Sequence, residues 1–237
     1  MKNKFSKYLI YAIGEIILVV IGILIALQVN NWNETKKTRS FETKILTEMK
    51  QSLEQDLMRT ELIYKHRALP KQKAISDLIG NITSDVHVSK DELKKNFGIA
   101  SITLSFYFDK GPFESLKSKG FERIQNDSLR NAIIRFYEVS MPLAIIFIDN
   151  NKEVYKTNKY ELRRKIVGHQ YIKNDTIWRV NRTLQIEKLR KNKEVAELLM
   201  LEQRVSDNYV LRLESIIQQY KQMIALIEEE LIILTND

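Results

Sequence analysis

The side chains with the most chemical potential in this 237-residue chain are scattered rather than gathered. His66, His87 and His169 stand far apart, and none has a second ligand at metal spacing, so no metal site is expected. Cysteine is absent, which removes thiolate ligands, disulfides and a cysteine nucleophile together. Glu228, Glu229 and Glu230 adjoin, but adjacent helical positions diverge by about 100°, which reads as a solvated face rather than an acid–base pair. The seven glycines are too dispersed to cradle a phosphate. Gly168-His169 lacks the nearby serine of a nucleophile elbow. No catalytic residue and no cofactor emerges, and the chain is not expected to be an enzyme. Two features remain. Arg163, Arg164 and Lys165 form a cationic run suited to contacts with anions such as lipid headgroups. Glu15 places a carboxyl inside an apolar run, where its cost suggests a role.

That apolar run, residues 8–29, is the element that decides the location of everything else. Only Glu15 and Gln28 interrupt it. Twenty-two helical residues reach roughly 33 Å, enough to cross a hydrocarbon core of about 30 Å. The alternative is a cleaved signal peptide, which the basic start at Lys2, Lys4 and Lys7 would suit. Ala26-Leu27-Gln28 lacks the small residue needed before a cut, so an uncleaved anchor is expected. No second span is expected, since the apolar run at 141–148 is only eight residues. Trp32 falls where an interfacial aromatic anchor belongs, and Tyr8 and Tyr11 mark the opposite end. At 100° per residue Glu15, Gly22 and Ala26 share a face within about 40°, and Asn33 continues it. Small residues four apart let two backbones approach, so this face is the expected seam for association between membrane helices. Flanking Lys/Arg counts are nearly tied. A seven-residue tail with three lysines is hard to translocate, which favours the N-terminus inside and the larger region outside the cytoplasmic membrane.

Net charge is +8, concentrated in one place. Residues 150–193 carry 13 Lys/Arg against 4 Asp/Glu, whereas residues 194–237 carry 3 against 9. A basic segment beside an acidic helix argues for mutual pairing and against nucleic acid as a partner.

The stretch YAIGEIILVVIGILIALQVNNWNE, residues 11–34, resembles the opening of an uncharacterised Bacteroidota family of single-pass membrane proteins, whose members begin GEIxLVVIGILIALQxNNWNE. A looser match follows at Phe113, Leu116 and Gly120, then at Asn126-Asp127-Ser128-Leu129-Arg130, then at Phe136-Tyr137. Lys119 stands where the family often has a small residue before the glycine. The resemblance covers the anchor well, the middle partly and the C-terminal half hardly, and it implies no activity that transfers to this chain.

Low glycine and proline contents favour long helices. None of either occurs between Gly22 and Pro70, so the anchor is expected to continue as a stalk, with Leu46, Met49, Leu53, Leu57 and Tyr64 on one face. The helix is expected to falter at 66–70, because the residue before proline disfavours helical geometry. A helix over 71–78 is expected to end at Gly80-Asn81, and Ser89 to Glu92 reads as a capping box. Residues 99–108 read as extended, and a short helix over 112–119 closes at Gly120. Asn126 or Asp127 caps the next helix, which Pro142 is expected to kink. Residues 152–167 read as a basic helix, and 169–181 as a loop with Trp178 plugged into the core. From Val205 to Leu234 nine apolar residues recur at steps of 4, 4, 3, 4, 3, 4, 4 and 3, the period of a straight helix in a globular bundle; this helix should start near Asn192.

The expected architecture is all-α: a tail at 1–7, a transmembrane helix at 8–29, a helical stalk at 30–69 and an antiparallel helical bundle at 70–237 that packs with the stalk. The expected function is a non-enzymatic scaffold or protein-interaction module in the bacterial inner membrane. Its expected partners are the lipid bilayer and either a second copy or another membrane protein, with the soluble part in the periplasm. The alternative is an extracytoplasmic sensor or ligand-binding bundle that signals through a partner. A pocket with unpaired basic groups would favour sensing, and a fully packed core would favour the scaffold.

Overall fold

A computed structural model describes residues 2–84, 88–174, 176–185 and 188–236, with the side chains of the first helix described from Gly14 onward. The side chains of Lys2, Lys4, Lys7, Tyr8 and Tyr11, together with His87, lie outside the described residues. The chain is mostly helical.

Helix α1 runs Lys2–Ile63, 62 residues or roughly 93 Å at helical rise. The expected break near Pro70 does not occur. The helix widens into a π turn over Tyr64–Ala68 and continues as α2, Leu69–Thr83, past Gly80. Proline lacks an N–H and its ring crowds the carbonyl four residues earlier. An extra residue in the preceding turn displaces that carbonyl and lets the helix pass. The same device precedes Pro142: α5 (Asp127–Arg135) passes through a π turn at Phe136–Ser140 into α6 (Met141–Ile166). Between these long segments lie α3 (Lys90–Ala100) and α4 (Gly111–Lys119). Ser89 Oγ accepts from Glu92 N, as the capping pattern requires, and Asn126 Oδ1 accepts from Ser128 N and Leu129 N to open α5.

The last helix, α7 (Lys193–Asn236), starts at the Asn192 cap, where Asn192 Oδ1 accepts from Val195 N. It runs antiparallel to α1 and α2. Lys50 pairs with Glu228 at 2.8 Å, Glu61 with Lys221 at 3.2 Å, the Tyr64 hydroxyl donates to Glu214, and Gln72 donates to Asp207 at 2.8 Å. The partners descend in number as α1 and α2 ascend. Its periodic stripe faces inward: Tyr209, Leu213, Ile216, Tyr220, Met223 and Ile227 are buried.

Two separate apolar clusters result. The one nearer the apolar end of α1 joins Leu46, Met49 and Leu53 to Leu213 and Ile216, and to Ile133, Phe136, Tyr137 and Met141. The second joins Ile75 and Leu78 of α2 to Leu93, Leu162, Ile166 and Leu199. Residues 30–37 of the segment read as a stalk are exposed, while Glu42, Ile45 and Leu46 are already buried.

The all-α expectation needs one correction. Residues 169–181 are not a loop but most of a two-stranded antiparallel hairpin, β1 (Val167–Asn174) and β2 (Ile177–Leu184), in register from Val167↔Leu184 to Asn174↔Ile177. The two strands satisfy each other's backbone groups along one edge, which a lone strand cannot do. Trp178 is not a plug: it is 62% exposed, beside Lys173 with its Nζ 5.8 Å from the ring centroid. Val167 and Leu184 at the base of the hairpin pack against the second cluster, whereas Tyr171 and Ile172, consecutive residues on opposite strand faces toward its tip, are both exposed.

Gly120 closes α4 at φ +100° and ψ 130°, backbone that L side chains rarely adopt. A Cβ there would also meet the Glu122 carboxylate. Gly120→Ala is expected to cost about 1–3 kcal/mol through strain, read as a lower melting temperature of the purified protein. An unchanged melting temperature would mean that this turn relaxes freely.

Candidate functional site

The residues singled out in the sequence occupy two ends of the molecule. Glu15, Gly22 and Ala26 lie on the uncovered part of α1, where residues 15–37 are all exposed and no atom comes within 4 Å of a Cβ placed on Gly22. Among the described residues, no other part of the chain is brought to that face. Trp32 is 67% exposed, with Lys36 Nζ 5.5 Å from its ring centroid. By length and composition two helical stretches among the described residues suffice to cross a membrane. One lies within Gly14–Thr83, its window at mean hydropathy 1.9 with none of it buried; the other lies within Asp127–Ile166, at 1.5 with 33% buried. The second contributes Met141, Ala144 and Ile148 to the core.

At the other end the cationic run divides. Lys165 pairs with Glu194 on α7. Lys159, two turns earlier, donates inward to the Ser101 carbonyl and to Thr103 Oγ1 at 3.1 Å. Arg163 and Arg164 instead line a concavity of about 450 Å³ with Tyr160 and Phe97, roofed by His169 of β1. The anticipated pairing of the basic segment with α7 is thus limited to Lys165–Glu194 among the described ion pairs. Of the other α7 carboxylates, Glu228 meets Lys50 of α1, Glu214 meets Tyr64 of the π turn, Asp207 meets Gln72 of α2 and Glu230 meets the turn at Asn126.

What the sequence did not disclose is a polar layer between the two cores. Lys71 sits between buried Ala68 and Ile75, and Glu202 and Ser206 sit between buried Leu199 and Tyr209; Lys71, Glu202 and Ser206 are each no more than 3% exposed. Asn158 and Lys159 lie at the corresponding level of α6, between Ile148 and Leu162. Lys71 Nζ donates to the Ile102 carbonyl at 2.8 Å. Neither carboxylate oxygen of Glu202, nor Ser206 Oγ, Asn96 Nδ2 or Asn158 Nδ2, has a hydrogen-bond partner among the described residues. Buried polar atoms are rarely left so, and a void of about 10 Å³ beside Lys159 and Glu202 has room for one water. Burial holds the Lys71 ammonium well below its ordinary range against the pull of Glu202, and the same burial raises Glu202 against the pull of Lys71 and Lys159. Polar residues at apolar-stripe positions were the available signal: Lys71, Glu202 and Ser206 interrupt otherwise apolar helical faces.

Three further buried carboxylates, Asp56, Glu42 and Glu230, have structural work. Asp56 accepts from Asp109 N at 2.8 Å and pairs with Arg59, while Ser52 Oγ donates to Asp109 Oδ2 at 2.9 Å; these contacts clamp the extended segment 102–110 to α1. Glu42 accepts from Gln125 N at 2.8 Å, and Glu230 accepts from Asn126 Nδ2 at 2.6 Å, which holds the turn before α5 between α1 and α7. Burial raises both Asp56 and Glu42 above the usual carboxylate range. Phe113, Leu116, Leu129, Phe136 and Tyr137, which carry the looser resemblance, are buried together, with Phe113 and Tyr137 stacked 4.6 Å apart. They build core rather than a site.

Residues 15–146 match a family of unknown function, DUF6090. No curated protein and no solved structure matches the chain.

Proposed function

The chain belongs to DUF6090, a family of unknown function, and we propose that it is a non-enzymatic, membrane-anchored scaffold or protein-interaction module. The observation that carries this reading is the apolar window of α1, at mean hydropathy 1.9 and with none of it buried, on the same helix that supplies Leu46, Met49 and Leu53 to the core. Bilayer lipid is the partner that removes such a surface from water. The helix that leaves the membrane at Trp32 then continues rigidly into an antiparallel helical bundle and holds the hairpin at the far end. From Trp32 to Thr83 the helical path is roughly 78 Å at 1.5 Å per residue. The proposed location is the bacterial inner membrane, crossed once, with the bundle in the periplasm, and the opening from Gly14 to Glu34 is proposed as a Bacteroidota family signature. The open face at Glu15, Gly22 and Ala26 supports self-association or contact with another membrane helix.

Two measurements on the full chain test the proposal. Membranes washed with alkaline carbonate should retain the protein, and Gly22→Leu should weaken self-association in a membrane reporter, because a larger side chain separates the backbones. Release by carbonate would remove the anchor, and undiminished association of Gly22→Leu would remove the seam. One observation favours the alternative of a ligand-binding bundle: the basic concavity beside the hairpin.

A further inference from the structure

We propose that this concavity, at the junction of α6, α3 and β1, binds a small anion that carries a flat apolar body. The proposal is independent of the scaffold reading and of the anchor.

Secondary structure puts the groups on converging faces. Tyr160, Arg163 and Arg164 stand three and four residues apart on α6, so all three project from one side of that helix. Val167 and His169 are two apart on β1 and therefore share a strand face, with Leu184 paired across from Val167. Phe97 of α3 completes the wall. Phe97, Val167 and Leu184 also pack against the second apolar cluster, which gives the cavity a fixed floor.

The charge is uncompensated where it matters. Among the described ion pairs, Arg164 has only an exposed contact with Glu161 at 3.8 Å, a geometry worth little in water. Arg163 has none, and Lys165 is diverted to Glu194. The field is felt nearby: burial is the main reason that Lys159 titrates below its ordinary range, and Arg163 is the next. Two guanidinium groups offer planar donor forks that match a phosphate or carboxylate, and His169 lines the same space. The Phe97 and Tyr160 rings offer faces to an apolar body, which a bare anion would leave unused. A volume of about 450 Å³ exceeds the need of an inorganic ion.

The test titrates the full chain in neutral detergent with phenyl phosphate, inorganic phosphate and benzyl alcohol, followed by calorimetry and ligand-observed NMR. Phenyl phosphate should bind at least tenfold more tightly than either of the others. Arg163→Ala should weaken it at least tenfold, and Phe97→Ala should reduce its preference over inorganic phosphate. Lys165→Ala, on the run but paired elsewhere, should bind as the parent does. Circular dichroism on each variant confirms that the exposed Arg163 site was altered without loss of fold. Equal affinities for phenyl phosphate and inorganic phosphate would show attraction by surface charge alone. Unaltered binding by folded Arg163→Ala, or no binding at about 10 mM ligand, tenfold above a millimolar dissociation constant, would overturn the proposal.

Discussion

Ile216→Asp is expected to unfold the helical region outright. Ile216 is fully buried at the middle of α7, in the cluster that contains Leu46, Met49, Leu53 and Phe136. Removing a large aliphatic side chain from such a site costs about 2–5 kcal/mol. The new carboxylate adds the cost of an unpaired buried charge. Together these approach the whole stability of a typical domain, about 5–15 kcal/mol. Ile216→Ala should show only the cavity part and remain folded with a lowered melting temperature. A chain ended at Arg204 should fail in the same way as Ile216→Asp, because Tyr209, Leu213, Tyr220, Met223 and Ile227 leave with it. Limited proteolysis in mild detergent reads all three. If the chain ended at Arg204 resists protease as well as the parent, α7 does not hold the core together.

The second large effect is expected at the polar layer, where single and double substitutions should have opposite signs. Glu202→Ala leaves Lys71 buried without its opposing charge and should cost about 3–5 kcal/mol. Lys71→Met with Glu202→Leu removes both charges, and the Lys71–Ile102 hydrogen bond with them, and should be neutral or stabilising by about 1–4 kcal/mol. Lys159 keeps its contacts with Ser101 and Thr103 in either variant. The pH dependence carries the same signature. Glu202 titrates above its free value, so its contribution is full below the free carboxylate range and is lost as pH rises toward the raised value. Lys71 titrates below its free value, so its contribution is full above the free ammonium range and is lost as pH falls toward the lowered value. Relative to the double variant, the parent should therefore be least favoured near neutral pH, where both shifted titrations fall, and gain on either side. Thermal melts of parent and double variant across pH measure the difference. A difference that does not change with pH would mean that the pair keeps its solution titration.

The helices were largely legible because their signals are local. The 3.6-residue stripe of α7, the caps at Ser89, Asn126 and Asn192, and the scarcity of glycine and proline depend on neighbours within a turn or two. The break near Pro70 was misread because the energetic objection to proline applies to a regular α turn. A π turn just before that proline removes the objection at the cost of one widened loop of backbone, and the same device precedes Pro142. The hairpin was missed for a related reason. Residues 167–184 contain alternating β-branched and aromatic side chains, but a strand is stable only with a partner, and the partner was visible only once the second strand was in register. Trp178 was read inward because large aromatics bury well, yet whether a face finds cover depends on what packs over it.

The candidate sites divide along the same line. The apolar run around Glu15, Gly22 and Ala26, and the position of Trp32 just beyond its end, are properties of composition and helical phase, so they could be read from the chain alone. Sequence marked Arg163, Arg164 and Lys165 as one cationic run. Only tertiary structure separated Lys165, neutralised by Glu194, from the two arginines left facing Tyr160, Phe97 and His169. Likewise, Lys71 and Glu202 lie on different helices 131 positions apart in the sequence. Whether such charges end in water or between two cores depends on which helix faces meet, because desolvation is decided by the surroundings of a charge and not by its place in the chain.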